Sequence, residues 1–124
     1  MEEFRNTYLN EANRLLSELK TNIEDLKKNG ENDDLIYNIF RIVHSIKGGG
    51  AMFGFEKSST LAGALEDRYE EIKDKEARLT PELIEITEIC NEFLIYLINN
   101  EPELKSEDIT KQKELIKKVK KIGK

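Results

Sequence analysis

The sequence predicts an all-α protein, a bundle of four core helices with a fifth helix at its C-terminal end. Three observations predict it. Apolar residues recur at spacings of three and four along five separate stretches, which winds them onto one face of a helix. No stretch of useful length alternates apolar and polar residues as a half-buried strand would. Pro81 and Pro102 fall between those stretches or at the first position of one, and short connections between long helices are the connectivity of a bundle.

Each helix has its own warrant. The first, over about residues 2–28, carries Phe4, Tyr8, Ala12, Leu15, Leu16, Leu19, Ile23 and Leu26 on one stripe. Lys27 and Lys28 suit the negative end of its dipole, and Gly30 can take the left-handed conformation that closes a helix. The second, over about 33–52, opens at Asn32 or Asp33 and repeats Leu35, Ile36, Ile39, Ile42, Val43 and Ile46. Its end is contested. Gly48, Gly49 and Gly50 each cost about 1 kcal/mol inside a helix, so propensity alone stops the helix there.

The third helix, over about 56–75, uses Leu61, Ala62, Leu65, Tyr69 and Ile72 and fades into Lys73-Asp74-Lys75-Glu76. Thr80-Pro81-Glu82 then supplies a capping hydroxyl, a proline suited to the first turn and an acid at the positive helix end. The fourth helix, over about 81–99, spreads Leu83, Ile86, Ile89, Cys90, Phe93, Leu94, Leu97 and Ile98 over an arc wide enough to be covered on more than one side. Asn99, Asn100 and Pro102 stop it. The fifth, over about 107–122, has a narrow stripe of Ile109, Gln112, Leu115, Ile116, Val119 and Ile122 opposite a face of lysine, and is expected at the bundle's edge.

Composition narrows the function. At 124 residues, 36% charged and 38% hydrophobic, the chain reads as one domain over residues 1–124. No apolar run approaches the roughly 18 residues of a membrane span, and the opening M-E-E-F-R-N lacks the layout of a signal peptide. A cytoplasmic protein with no membrane partner is therefore expected. Cys90 is the sole cysteine and His44 the sole histidine, which leaves no internal disulfide and no metal site. A Ser-His-Asp centre would have to use His44, and no G-x-S-x-G elbow is present. A phosphate-cradling loop is excluded by order, because Lys47 precedes the glycines rather than following them. Residues 1–108 carry 13 basic against 24 acidic side chains, whereas residues 109–124 hold seven lysines and only Glu114. An acidic body repels a phosphate backbone and the basic end has no aromatic residue for base stacking, so nucleic acid is not an expected partner.

At about 100° per residue, the apolar side of the second helix centres between Ile39 and Val43 and leaves His44 on an exposed stripe. Tyr37, Phe40, Lys47, Gly48 and Ala51 share that stripe. An exposed imidazole is a nucleophile toward phosphorus near neutral pH. An ammonium one turn away can stabilise the negative adduct, and a glycine beside it leaves room for an approaching protein.

The segment H44-S-I-K-G-G-G-A-M-F-G-F55, with F40-R41 before it and L61-A-G-A-L-E66 after it, resembles the signature of the histidine phosphotransfer (HPt) family. It is most similar to the N-terminal phosphotransfer domain of CheA-type chemotaxis kinases. The likeness extends to the opening F-R-N-T-Y-L-N-E-A-N-R-L-L-S-E-L from Phe4 and to T-P-E-L from Thr80. The resemblance implies an HPt-type bundle with its second helix continued through the glycines. It implies His44 as phosphoacceptor at Nε2, Glu66 as the carboxylate that orients the imidazole, and Lys47 as its charge neighbour. Phe40, Gly48 and Ala51 fall on the partner-binding face. The implied partners are a histidine kinase catalytic domain, which would itself bind ATP and Mg²⁺, and a response-regulator receiver domain. The domain alone is then not an enzyme, needs no cofactor and is expected to be monomeric. Gly63 departs from the family, which often has a histidine there. A free-standing phosphorelay carrier is a near alternative. A helical adaptor that uses the same stripe without covalent chemistry is a more distant one, as is an enzyme with His44 as general base.

Overall fold

The structure, a computed structural model, describes residues 2–122. Five helices follow one another: α1 (Glu2–Asn29), α2 (Asp33–Phe53), α3 (Glu56–Lys73), α4 (Pro81–Asn100) and α5 (Ser106–Lys121). The first four close a ring in which α1 touches α2 and α4, and α3 touches α2 and α4; α5 lies against α3 and α4. The contact between α2 and α3 is the most extensive. Leu16, Leu19, Ile39, Ile46, Leu61, Leu65, Leu94 and Leu97 are fully buried between the four ring helices. Cys90 is buried with them, and burial pushes its thiol up to about 12.

Local chemistry sets most helix ends. Gly30 adopts φ 84° and its N–H donates to the Leu26 carbonyl at 3.0 Å. The Asn32 side chain accepts from the Leu35 N–H at 2.9 Å, and the Thr80 hydroxyl accepts from the Leu83 N–H at 3.1 Å. These caps satisfy N–H groups that the first turn of a helix cannot pair internally. The third helix ends at Lys73, slightly short of expectation, because Lys75 turns left-handed at φ 63° and its N–H donates back to the Ile72 carbonyl.

The helix α2 runs through all three glycines to Phe53, against their propensity. Close packing outweighs propensity here. A Cβ on Gly49 would lie 2.2 Å from Cε1 of Tyr8, and one on Gly50 would lie 3.0 Å from the Phe55 carbonyl oxygen. The Tyr8 hydroxyl donates to the Ile46 carbonyl at 2.9 Å, and the Ser59 hydroxyl donates to the Lys47 carbonyl at 2.7 Å. The helix finally ends at Gly54, φ 87°, where the Gly54 and Phe55 N–H groups both reach the Gly50 carbonyl.

Two stripe residues are not covered. Phe4, in the first turn of α1, is 64% exposed; the buried stripe of that helix begins only at Tyr8. Ile89 is 40% exposed because it lines an open cleft of about 360 Å³ between α4 and α5, with Ile86, Lys118 and Ile122. One further contact is long-range. The first turn of α3 has no side-chain cap of its own. The Glu101 carboxylate, beyond the end of α4, accepts from the Ser58 N–H at 3.1 Å and the Ser58 hydroxyl at 2.9 Å.

Candidate functional site

The periodicity of α2 carries Phe40, His44, Lys47, Gly48 and Ala51 onto the flank that the ring does not cover. The His44 side chain is 61% exposed, while Glu66, facing it from α3, keeps only 8% of its side chain exposed. The Glu66 carboxylate is divided between two partners. Its Oε2 meets Nδ1 of His44 and its Oε1 accepts from Nζ of Lys47. Burial pushes the Glu66 carboxyl up, but the hydrogen bonds from Lys47 and His44 outweigh burial and hold it below its ordinary value. The same bond to Glu66 raises the Lys47 ammonium against the opposing effect of its burial.

This charge state decides the tautomer. An ionised carboxylate only accepts, so Nδ1 of His44 must carry the proton and the lone pair is left on Nε2. Among the described residues no hydrogen bond engages Nε2. The ring plane is held as well. Phe40 stacks on the imidazole with centroids 6.0 Å apart and planes inclined 21°, and Nζ of Lys73, at the end of α3, lies 5.1 Å from the Phe40 centroid. One turn beyond His44, a Cβ on Gly48 would meet nothing within 4 Å. Ala51 is exposed on the next turn, and Met52 beside it is exposed too.

The structure therefore brings His44, Lys47 and Glu66 into one hydrogen-bonded group and sets Phe40 against it. Gly48 and Ala51 continue the same exposed flank. Sequence reasoning missed the stacking of Phe40 on His44, although their spacing of four is a helix-neighbour signal. It also missed Lys73, whose approach depends on how α3 crosses α2. Among the described residues no three His, Cys, Asp or Glu side chains gather as metal ligands, and no helix is long and apolar enough to cross a membrane.

Known proteins share both the sequence and the fold. A model of the Hpt domain family matches residues 3–109. The chemotaxis protein CheA of Klebsiella aerogenes is 32% identical over 110 residues, covering 85% of this chain and 17% of that protein. CheA of Listeria monocytogenes is 29% identical over 93 residues, 75% of this chain and 15% of that protein. The chain thus spans less than one fifth of the length of these relatives. Among solved structures, the phosphorylated P1 domain of CheA3, in complex with CheY6 from R. sphaeroides, superposes with a TM-score of 0.81 over 96% of this chain and 94% of that one. At 17% identity that likeness speaks for the fold. Because the family match runs from the first turn of α1 into α5, across every helix that frames His44, the chain belongs to the Hpt domain family.

Proposed function

We propose that this domain is the phosphoryl carrier of a two-component, chemotaxis-type signalling system, with His44 as the acceptor. The observation that carries the reading is the exposed imidazole whose Nδ1 is tied to a buried carboxylate. In the first step the Nε2 lone pair attacks the γ-phosphorus of ATP held by a histidine kinase domain. An N–P bond forms, the bond to the ADP oxygen breaks, and the ring, still protonated at Nδ1, becomes cationic. Glu66 faces that developing charge and stabilises it. In the second step an aspartate oxygen of a receiver domain attacks the phosphorus, the N–P bond breaks and the lone pair returns to Nε2. Lys47 supplies positive charge one turn away, and Gly48 leaves room for the incoming domain. Phe40 and Ala51 complete the face on which the partners dock.

The chain supplies a nucleophile and its setting; ATP and Mg²⁺ belong to the kinase, since phosphoryl transfer rests on positioning and charge stabilisation by the phosphate-binding partner. As a single domain over residues 1–124 it is a substrate rather than an enzyme by itself. We place it in the cytoplasm, as the monomeric phosphotransfer module of a histidine kinase.

Intact-mass measurement after incubation with phosphoramidate tests the reading without a known kinase. The wild type gains one acid-labile, base-stable phosphoryl group and His44→Gln gains none. An equal adduct on the variant, or none on folded wild type, overturns it.

A further inference from the structure

Glycine is a poor choice for the middle of α3, yet Gly63 sits there, seven residues after the helix begins at Glu56 and three before Glu66. Its φ is not left-handed, so the backbone does not require glycine. What occupies the missing side chain's space is Lys47. A Cβ on Gly63 would lie 3.3 Å from Cδ and 3.7 Å from Cγ of Lys47. The lysine stem, coming from α2, lies over this gap and places its ammonium on Oε1 of Glu66. The gap continues into a cleft of about 240 Å³ whose far wall is Ile116 and Lys120 of α5.

We propose that Gly63 is a positioning residue, a seat for the Lys47 stem that allows the ammonium to share the Glu66 carboxylate with His44. The proposal rests on the function proposed above for its significance, though not for its test. A side chain at 63 competes with the stem for one volume. Displaced, the ammonium leaves Glu66 to His44 alone, and the carboxyl loses a hydrogen bond and a neighbouring positive charge. The charged groups that act on this carboxylate are His44 and Lys47 from α2; Asp67 and Glu70 of α3 act on Lys47, and Lys120 of α5 lines the cleft beside the Lys47 stem.

The decisive measurement is the titration of the Glu66 side-chain carboxyl by carbon-detected NMR, in wild type, Lys47→Met, Gly63→Ala and Gly63→Leu. Lys47→Met defines the value without the ammonium, expected above the wild type. Gly63→Leu should match it, and Gly63→Ala should fall between. Gly63→Ala should also melt about 4 °C higher, because a mid-helix glycine has been replaced, so a more stable protein with a less polarised site is the expected combination. A wild-type Glu66 titration in Gly63→Leu overturns the seat, as does a Lys47→Met titration equal to wild type. Should Gly63→Leu not fold, Gly63→Ala decides: an unshifted carboxyl overturns the proposal. None of these readouts needs His44 to accept phosphoryl. A wild type that takes up no phosphoryl group therefore refutes the carrier reading and leaves the seat to be judged by the titration.

Discussion

Two flanks of α2, within a single turn of the helix, use the same residue type for opposite ends. On the outer flank Gly48 faces open space, and His44 and Lys47 beside it are held from α3 by Glu66. On the inner flank Gly49 and Gly50 are the floor against which Tyr8, Phe55 and Ser59 close. Tyr8 is fixed there by its hydrogen bond to Ile46 and by Phe53 and Phe55, whose ring centroids lie 5.6 and 5.2 Å away. A run of identical residues is thus two devices. One clears a surface and the other sets how closely α1 and α3 approach the helix that carries the histidine.

Substitution should separate the two flanks most sharply at the glycines themselves. Gly49→Ala drives a methyl into a tyrosine ring that cannot retreat, and a loss of about 3 kcal/mol in urea unfolding is expected. Gly48→Ala meets nothing and should gain about 1 kcal/mol from helix propensity. Equal effects at the two positions would erase the distinction.

On the outer flank, Glu66→Gln keeps the shape and removes the charge that holds Nδ1. Phosphoryl uptake from phosphoramidate should fall about 10-fold, as for loss of other groups that orient a reactive imidazole. The same variant should alter acid stability. The folded carboxyl sits below its ordinary value of 4.5; its contribution is therefore complete above that pH and is lost as pH falls through the lowered folded value. Urea midpoints of wild type and variant should converge in acid and separate as pH rises from the lowered folded value to 4.5, above which the difference stays constant.

The inner flank should respond at the opposite end of the scale. Burial, aided by the Glu101 charge, pushes the Tyr8 phenol from 10.0 to about 12. A raised phenol favours the folded state fully below pH 10.0 and ceases to do so as pH climbs toward about 12. Tyr8→Phe should lose about 1 kcal/mol at neutral pH with the Ile46 hydrogen bond, and should flatten that alkaline decline in chemical denaturation. A variant as stable as wild type at neutral pH would show that the hydroxyl does not anchor α2.

What could be read in advance follows the same division between local and distant causes. Asn32, Thr80 and Gly30 act within four residues of themselves, so the helix ends they set were legible in sequence. The stripe of Phe40, His44, Lys47 and Gly48 was legible because helical periodicity alone fixes it. Helix propensity alone ends α2 at the glycines, since the Tyr8 ring that makes them necessary lies 41 positions earlier in the chain. Glu66 on its own is a helix-flank glutamate; its burial and its two partners depend on how α3 crosses α2. Glu101, which caps α3 from beyond α4, belongs to the same class, as do Phe4 and Ile89, apolar residues in the right phase that no neighbour covers.

The exposure of the His44 ring bears on time as well as on recognition. On the function proposed above, a phosphoryl group on Nε2 would sit on a side chain 61% open to solvent. Its lifetime would then be set by the intrinsic hydrolysis of the phosphorus–nitrogen bond rather than by shelter from the fold. A carrier built this way depends on prompt encounter: the signal persists only as long as delivery outruns spontaneous decay.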